Sequence, residues 1–138
     1  MTRLVKVALT VVAVLAMGTA VLVAQAKPPV TPVRGDAEIG VLPVKTAPDH
    51  KAGLVRTIIT VKNLSPTQSI AGLKVEEFWY DKAGNPLPGG RARLTKPLQP
   101  LEVAELKIET PKDPKMDRNS YQFSHANGKV KTKSMKAF

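Results

Sequence analysis

Leu54-Val55-Arg56-Thr57-Ile58-Ile59-Thr60-Val61-Lys62-Asn63 is the stretch from which the fold is read. β-Branched residues dominate it, and Val55, Thr57, Ile59 and Val61 fall on one face because side chains of an extended chain alternate sides. The same period of two returns at 103–110, where Ala104, Leu106 and Ile108 face inward while Glu105, Lys107 and Glu109 face water. No stretch from Ala37 onward carries a convincing helical period.

Working outward, a strand is expected at 37–42, closed by Pro43, with 47–53 as a loop. After the turn at 64–69, residues 70–80 read as a strand with Leu73, Val75 and Trp79 in one register. Glu77 falls on that same face. An unpaired buried carboxylate is costly, so Glu77 is expected at the rim beside a cation or next to a bulge. Asp81-Lys82-Ala83-Gly84-Asn85 is a tight turn in which Gly84 supplies a positive φ. A short strand at 91–94 follows the Leu87-Pro88-Gly89-Gly90 corner. Residues 96–100 bend and 111–115 form a loop. The segments 120–126 and 129–134 then pair across Asn127-Gly128, a dipeptide suited to a type I′ hairpin. About seven short strands with frequent turn signals predict an all-β domain, an immunoglobulin-like antiparallel β-sandwich, with a small barrel as the alternative.

The amino-terminal 26 residues read as a signal peptide. Met1-Thr2-Arg3-Leu4-Val5-Lys6 leads into an apolar run at 7–24, and Ala24-Gln25-Ala26 offers the small residues that a signal peptidase inspects. Cleavage there starts the mature chain at Lys27. The competing reading keeps 7–24, the same N-terminal signal helix uncleaved, as a short membrane anchor. Either way the remainder is exported, into the periplasm or as a secreted protein. The sequence contains no Cys, so the fold is expected to hold by packing alone, which suits a bacterial envelope. Lys27-Pro28-Pro29-Val30-Thr31-Pro32 cannot form a helix or a central strand, which makes 27–36 a Pro-rich tether and 37–138 a single domain. Without Arg3 and Lys6, 19 Lys and Arg stand against 11 Asp and Glu, a formal charge of +8. A basic protein is drawn to anionic lipid, cell-wall polymer and other polyanions, and the same charge aids solubility.

The order of Ile58-Ile59-Thr60-Val61-Lys62-Asn63, the segment 70–81, Gly84 and the bend Leu98-Gln99-Pro100-Leu101-Glu102 resembles the bacterial FxLYD-type domain. In that family a strand ending in VxN leads to a strand ending in Tyr-Asp, then a Gly turn and an L-x-P-G-E corner. The corresponding residues here are Asn63, Tyr80-Asp81, Gly84 and Pro100-Leu101-Glu102. Glu77 stands where the family shows Phe, Trp79 where it shows Leu, and Leu101 where it shows Gly. The resemblance implies an exported immunoglobulin-like module of unassigned activity, with no catalytic residues to carry over.

No nucleophile with a base, no paired carboxylates and no metal motif is legible, so the chain is expected to be no enzyme and to need no cofactor, metal or small-molecule substrate. His50 and His125 are 75 positions apart, and Glu76 and Glu77 point to opposite faces of one strand. Two groups remain as candidate contacts. Lys129, Lys131 and Lys133 alternate along an expected edge strand, with Lys136 beyond and Arg91 and Arg93 as extensions. They either discourage edge-to-edge aggregation or grip a polyanion or an acidic protein surface. With Trp79 turned inward between the sheets, Phe78 and Tyr80 face outward, where a protein partner or a sugar could cover them. Aromatic interleaving that would stack bases is missing from the basic strand, so no specific nucleic acid is expected. The sequence therefore predicts a protein-interaction or accessory module with an envelope protein partner. Polyanion or glycan binding is the alternative.

Overall fold

The computed structural model describes residues 29–138; the expected signal at 1–26 lies outside the described residues. The described chain is all-β. Its strands are β1 (Ala37–Val41), β2 (Lys45–Asp49), β3 (Leu54–Asn63), β4 (Lys74–Tyr80), β5 (Pro86–Leu87), β6 (Arg91–Arg93), β7 (Val103–Pro111), β8 (Arg118–His125) and β9 (Gly128–Ser134). Among the described residues there is no helix long and apolar enough to cross a membrane.

β3 is the hub of one half. Its ten residues pair with β7 along one edge, from Leu54↔Pro111 to Lys62↔Val103, and with β2 and then β1 along the other. β4 is the hub of the second half, with β8 on one edge and β6 and β5 on the other. β9 joins the halves. It runs parallel to β1 from Ala37↔Val130 to Val41↔Ser134 and touches β8 only at Ser124↔Lys129 and His125↔Gly128. The result is one curled, mixed sheet in the order β2-β3-β1-β9-β8-β4-β5, with β6 also on β4 and β7 also on β3. Its concave side closes on Ile39, Ile59, Val61, Leu73, Val75, Leu106 and Ile108, which have lost nearly all contact with water. Each buried side chain of this size contributes about 1.5–3 kcal/mol.

The expected period of two holds through β3 and β7, whose inward residues are buried in strict alternation. Several expectations change. Nine strands replace about seven, and the sheet is mixed because β1 and β9 run parallel. Of the loop expected at 47–53, residues 47–49 belong to β2 and only 50–53 turn. Pro48 is tolerated there because β2 pairs with β3 alone and its other edge needs no donor. The strand expected at 70–80 starts at Lys74, since Gly72 turns at φ +61° and Ile70 bridges to Leu98 instead. Gly84 takes its expected positive φ of +84°. The β8–β9 turn is not type I′. Its loop residues are Ala126 and Asn127, neither of which has a positive φ, and Gly128 carries φ +156°. Bonds from outside hold that shape: Gly35 N–H donates to Asn127 O at 3.0 Å, and Ala126 N–H to Ala71 O at 2.9 Å.

The lead-in is bound to the domain. Val33 N–H donates to Ser69 O at 2.8 Å, Ser69 N–H donates to Thr31 O at 3.0 Å, and Val33 itself is buried. At the far end, residues after β9 fold back over β1. Gly40 is buried beneath Met135, Phe138 and Leu64, and a Cβ there would lie 2.5 Å from Met135 Sδ. Only a glycine leaves room for that cover.

Candidate functional site

The expected edge strand is covered along one flank and open on the other past Lys129. β9 carries Lys129, Lys131 and Lys133 on one side, all exposed, but β1 occupies its flank along its length. The correction has a physical cause: Val130 packs against the core, so β9 is drawn in to complete the sheet. Lys131 reaches Asp36 at 3.4 Å, and exposed Lys136 lies past the strand.

Cross-strand register gathers residues that sequence order separates. Lys129 stands opposite Ser124, Ser124 opposite Lys74, and Lys74 opposite Arg93. With strands about 4.8 Å apart, that row spans roughly 14 Å and carries three cations. The next outward row holds Gln122, Glu76 and Arg91, followed by Ser120 with Phe78 and by Arg118 with Tyr80. Arg91, Arg93, Phe78, Tyr80 and Lys129 therefore share one face. Phe78 is 37% exposed and Tyr80 half-buried. Lys74 and Arg118 belong to this face and were missed. The alternation Lys74, Glu76, Phe78, Tyr80 could have revealed the first. Arg118 lay before the expected start of its strand. One acid sits on the face, Glu76, whose Oε1 is 3.0 Å from Lys74 Nζ.

No family model matches the chain, and no curated protein matches it. Among solved structures, IrmA from Escherichia coli is similar in backbone, with a TM-score of 0.50 at 11% identity, over 74% of this chain and 94% of IrmA. Identity that low speaks to fold alone.

Behind the face lies a polar cluster inside the core. Glu77 is buried with no cation beside it among the described residues. β4 pairs with β8 without interruption through Glu77↔Tyr121, but on its other edge the register slips by one residue between Glu76↔Arg91 and Trp79↔Leu87, so the expected irregularity lies opposite Glu77, at 88–90. Neutral donors take the place of the cation. Thr57 Oγ1 donates to Glu77 Oε2 at 2.8 Å, Thr110 Oγ1 donates to Oε1 at 2.9 Å, and the Trp79 indole N–H donates to Oε1 as well. Trp79 is thus half-buried, held by its polar edge rather than fully packed. Burial pushes the nearby Tyr121 phenol above its ordinary 10.0, and the charge of Glu77 adds to that rise against hydroxyl contacts from Thr46 and Thr57. Exposed Lys112 Nζ lies 3.0 Å from His50 Nδ1. His125 is buried, its Nε2 2.6 Å from Gly35 O, while Asn127 N–H donates to Nδ1 at 3.3 Å. Those partners assign the proton to Nε2. Among the described residues no group of three His, Cys, Asp or Glu is placed to hold a metal.

Proposed function

We propose that this chain is an exported, non-enzymatic, immunoglobulin-like β-sandwich that serves as a protein-interaction module in the bacterial cell envelope. The observation that carries the reading is the outward face on which Phe78 and Tyr80 stand among Arg91, Arg93, Arg118 and Lys129. Aromatic and arginine side chains dominate the energetics of protein interfaces, and an exposed Phe loses apolar contact with water when a partner covers it. Support for a sandwich comes from the bonds that Thr57 of β3 and Thr110 of β7 make to Glu77 of β4 across the core. Export rests on residues 1–26, with cleavage before Lys27 or retention of 7–24 as an anchor. Kinship with FxLYD-type domains is supported by the meeting of the residues that suggested it: Asn63 N–H donates to Glu102 O at 3.0 Å, and its side chain donates to Leu98 O and Gln99 O.

One observation favours a second reading. The row Arg93–Lys74–Ser124–Lys129 is a band of cations suited to a polyanion or an acidic glycan. Crosslinking in cells, then affinity recovery with low-salt and high-salt washes, separates the two. An envelope protein retained at high salt, and lost in Phe78→Ser, is the expected result. Recovery of anionic polymer alone, released by salt, overturns the module reading in favour of the second.

A further inference from the structure

We propose that the cleft between β8 and β9 receives an extended segment of a partner protein, which pairs with β9 as an added strand and alternates apolar with acidic residues. This rests on the protein-binding reading above and names the class of partner.

β9 leaves β8 after Ser124↔Lys129 and follows β1 instead, whereas β8 stays with β4 along its whole length. The two strands therefore diverge from a shared end. Met135 N–H donates to Val41 O at 2.9 Å, continuing the β1–β9 ladder past the strand. In a parallel ladder the residues of one strand that bond a given neighbour alternate, so the odd-numbered residues of β9 bond β1. Of the even-numbered residues, Val130 donates its N–H to Phe123 O across the Ser124↔Lys129 pair, and the N–H and C=O groups of Thr132 and Ser134 are directed away from β1, into the cleft. Its volume is about 590 Å³, and its walls include Val41, Val44, Tyr121 and Phe123, all partly buried against the core. A backbone edge and core side chains are open at one place. An unpaired edge is a template for another chain, and an added strand satisfies its donors while covering the side chains beneath.

Charge selects the partner. A strand beside β9 presents alternate residues to Val41, Val44 and Tyr121 on the inner side and to the lysine row on the outer side. Among the described residues Lys129 and Lys133 have no acidic side chain within ion-pair distance, while Lys131 is shared with Asp36. Acidic residues at the outward positions meet those ammonium groups, and apolar ones at the inward positions meet the floor. A second copy of this chain, with its own lysines on β9, fits worse.

The test uses a synthetic peptide of alternating Glu and Val, the same peptide N-methylated at alternate backbone nitrogens, and a Glu homopolymer. Amide hydrogen exchange of the purified protein is followed by NMR. With the alternating peptide, exchange at Thr132 and Ser134 slows at least about tenfold, while Lys131 and Lys133, already bonded to β1, and Val130, already bonded to β8, change little. N-methylation weakens binding at least about tenfold, since it removes strand donors and keeps every side chain. Thr132→Pro deletes a cleft-facing N–H but no bond to β1, so it abolishes the slowing and leaves β1 protected. Should that variant fail to fold, the N-methylated peptide still decides. Unchanged exchange at Thr132 and Ser134, or equal binding of the N-methylated peptide or the homopolymer, overturns the proposal. A partner protein recovered by crosslinking that leaves these amides unprotected also overturns it, while the module reading stands.

Discussion

Leu101 is the one non-glycine among the described residues with a positive φ, +59°, and it sits where the resembling family has Gly. A left-handed backbone costs an L-residue roughly 1–2 kcal/mol because its Cβ crowds the following carbonyl. Truncating Leu101 removes a side chain that is only half covered, at 51% exposure, so Leu101→Ala loses about 1 kcal/mol of burial and keeps the backbone cost. Leu101→Gly loses the same burial but is relieved of that cost, less about 0.4–1 kcal/mol for the greater freedom of Gly in the unfolded chain. Comparison of the two variants isolates the backbone, because both keep the N–H that donates to Ser65 O at 3.2 Å. The Gly variant is expected to be more stable than the Ala variant by about 0.5–1 kcal/mol. Elsewhere in a strand or helix the order is reversed by a similar amount. Urea unfolding followed by the emission of Trp79, the single tryptophan, reads this as a displaced midpoint. An Ala variant as stable as the Gly variant, or more so, refutes the reasoning.

Asn63 is buried, its Nδ2 donating to Gln68 O, Leu98 O and Gln99 O and its Oδ1 accepting from Ser65 N–H; Asn63→Ala is expected to cost about 2–4 kcal/mol in urea unfolding. Asn63→Asp costs more at neutral pH, because it sets an oxygen against three carbonyls. Gly40→Ala pushes Met135 and Phe138 off β1 while β1 itself stays paired, at a cost of about 1 kcal/mol, and limited proteolysis beyond Ser134 should quicken. The raised Tyr121 phenol gives stability that is fully present below 10.0 and lost as pH climbs through the higher folded value. Alkaline titration should therefore show less loss of stability in Tyr121→Phe than in the parent; equal loss removes the phenol as the cause.

Local pattern was enough for β3, whose bounds the sequence marks at both ends. Ten residues of inward and outward alternation leave no competing period. It was insufficient for β2, because Ala47-Pro48-Asp49 carries turn-forming types, and whether Pro48 ends a strand depends on whether the far edge is free. Gly72 broke the strand foreseen at 70–80 for a similar reason: its φ is decided by the contacts of Ile70 with Leu98, not by its neighbours in sequence. Glu77 misled because inward threonines look like apolar filling on a β pattern, whereas Thr57 and Thr110 are its hydrogen-bond donors. The outward face was half legible. Phe78 and Tyr80 follow from alternation, but their company with Arg91, Arg93 and Lys129 comes from the order β9-β8-β4-β6, which only long-range pairing determines.

The joint formed by β9 has a consequence in time. Every pair in the β1–β9 ladder links an early part of the chain to one made roughly ninety positions later, and the ladder path from β3 to β4 runs through it. A chain delivered lengthwise by a ribosome can assemble hairpins on the way but cannot close this sheet before β9 arrives. Until β9 is in place, no ladder of the sheet connects β3 with β4. Strand order thus makes continuity of the sheet wait on β9, whatever pairs before it.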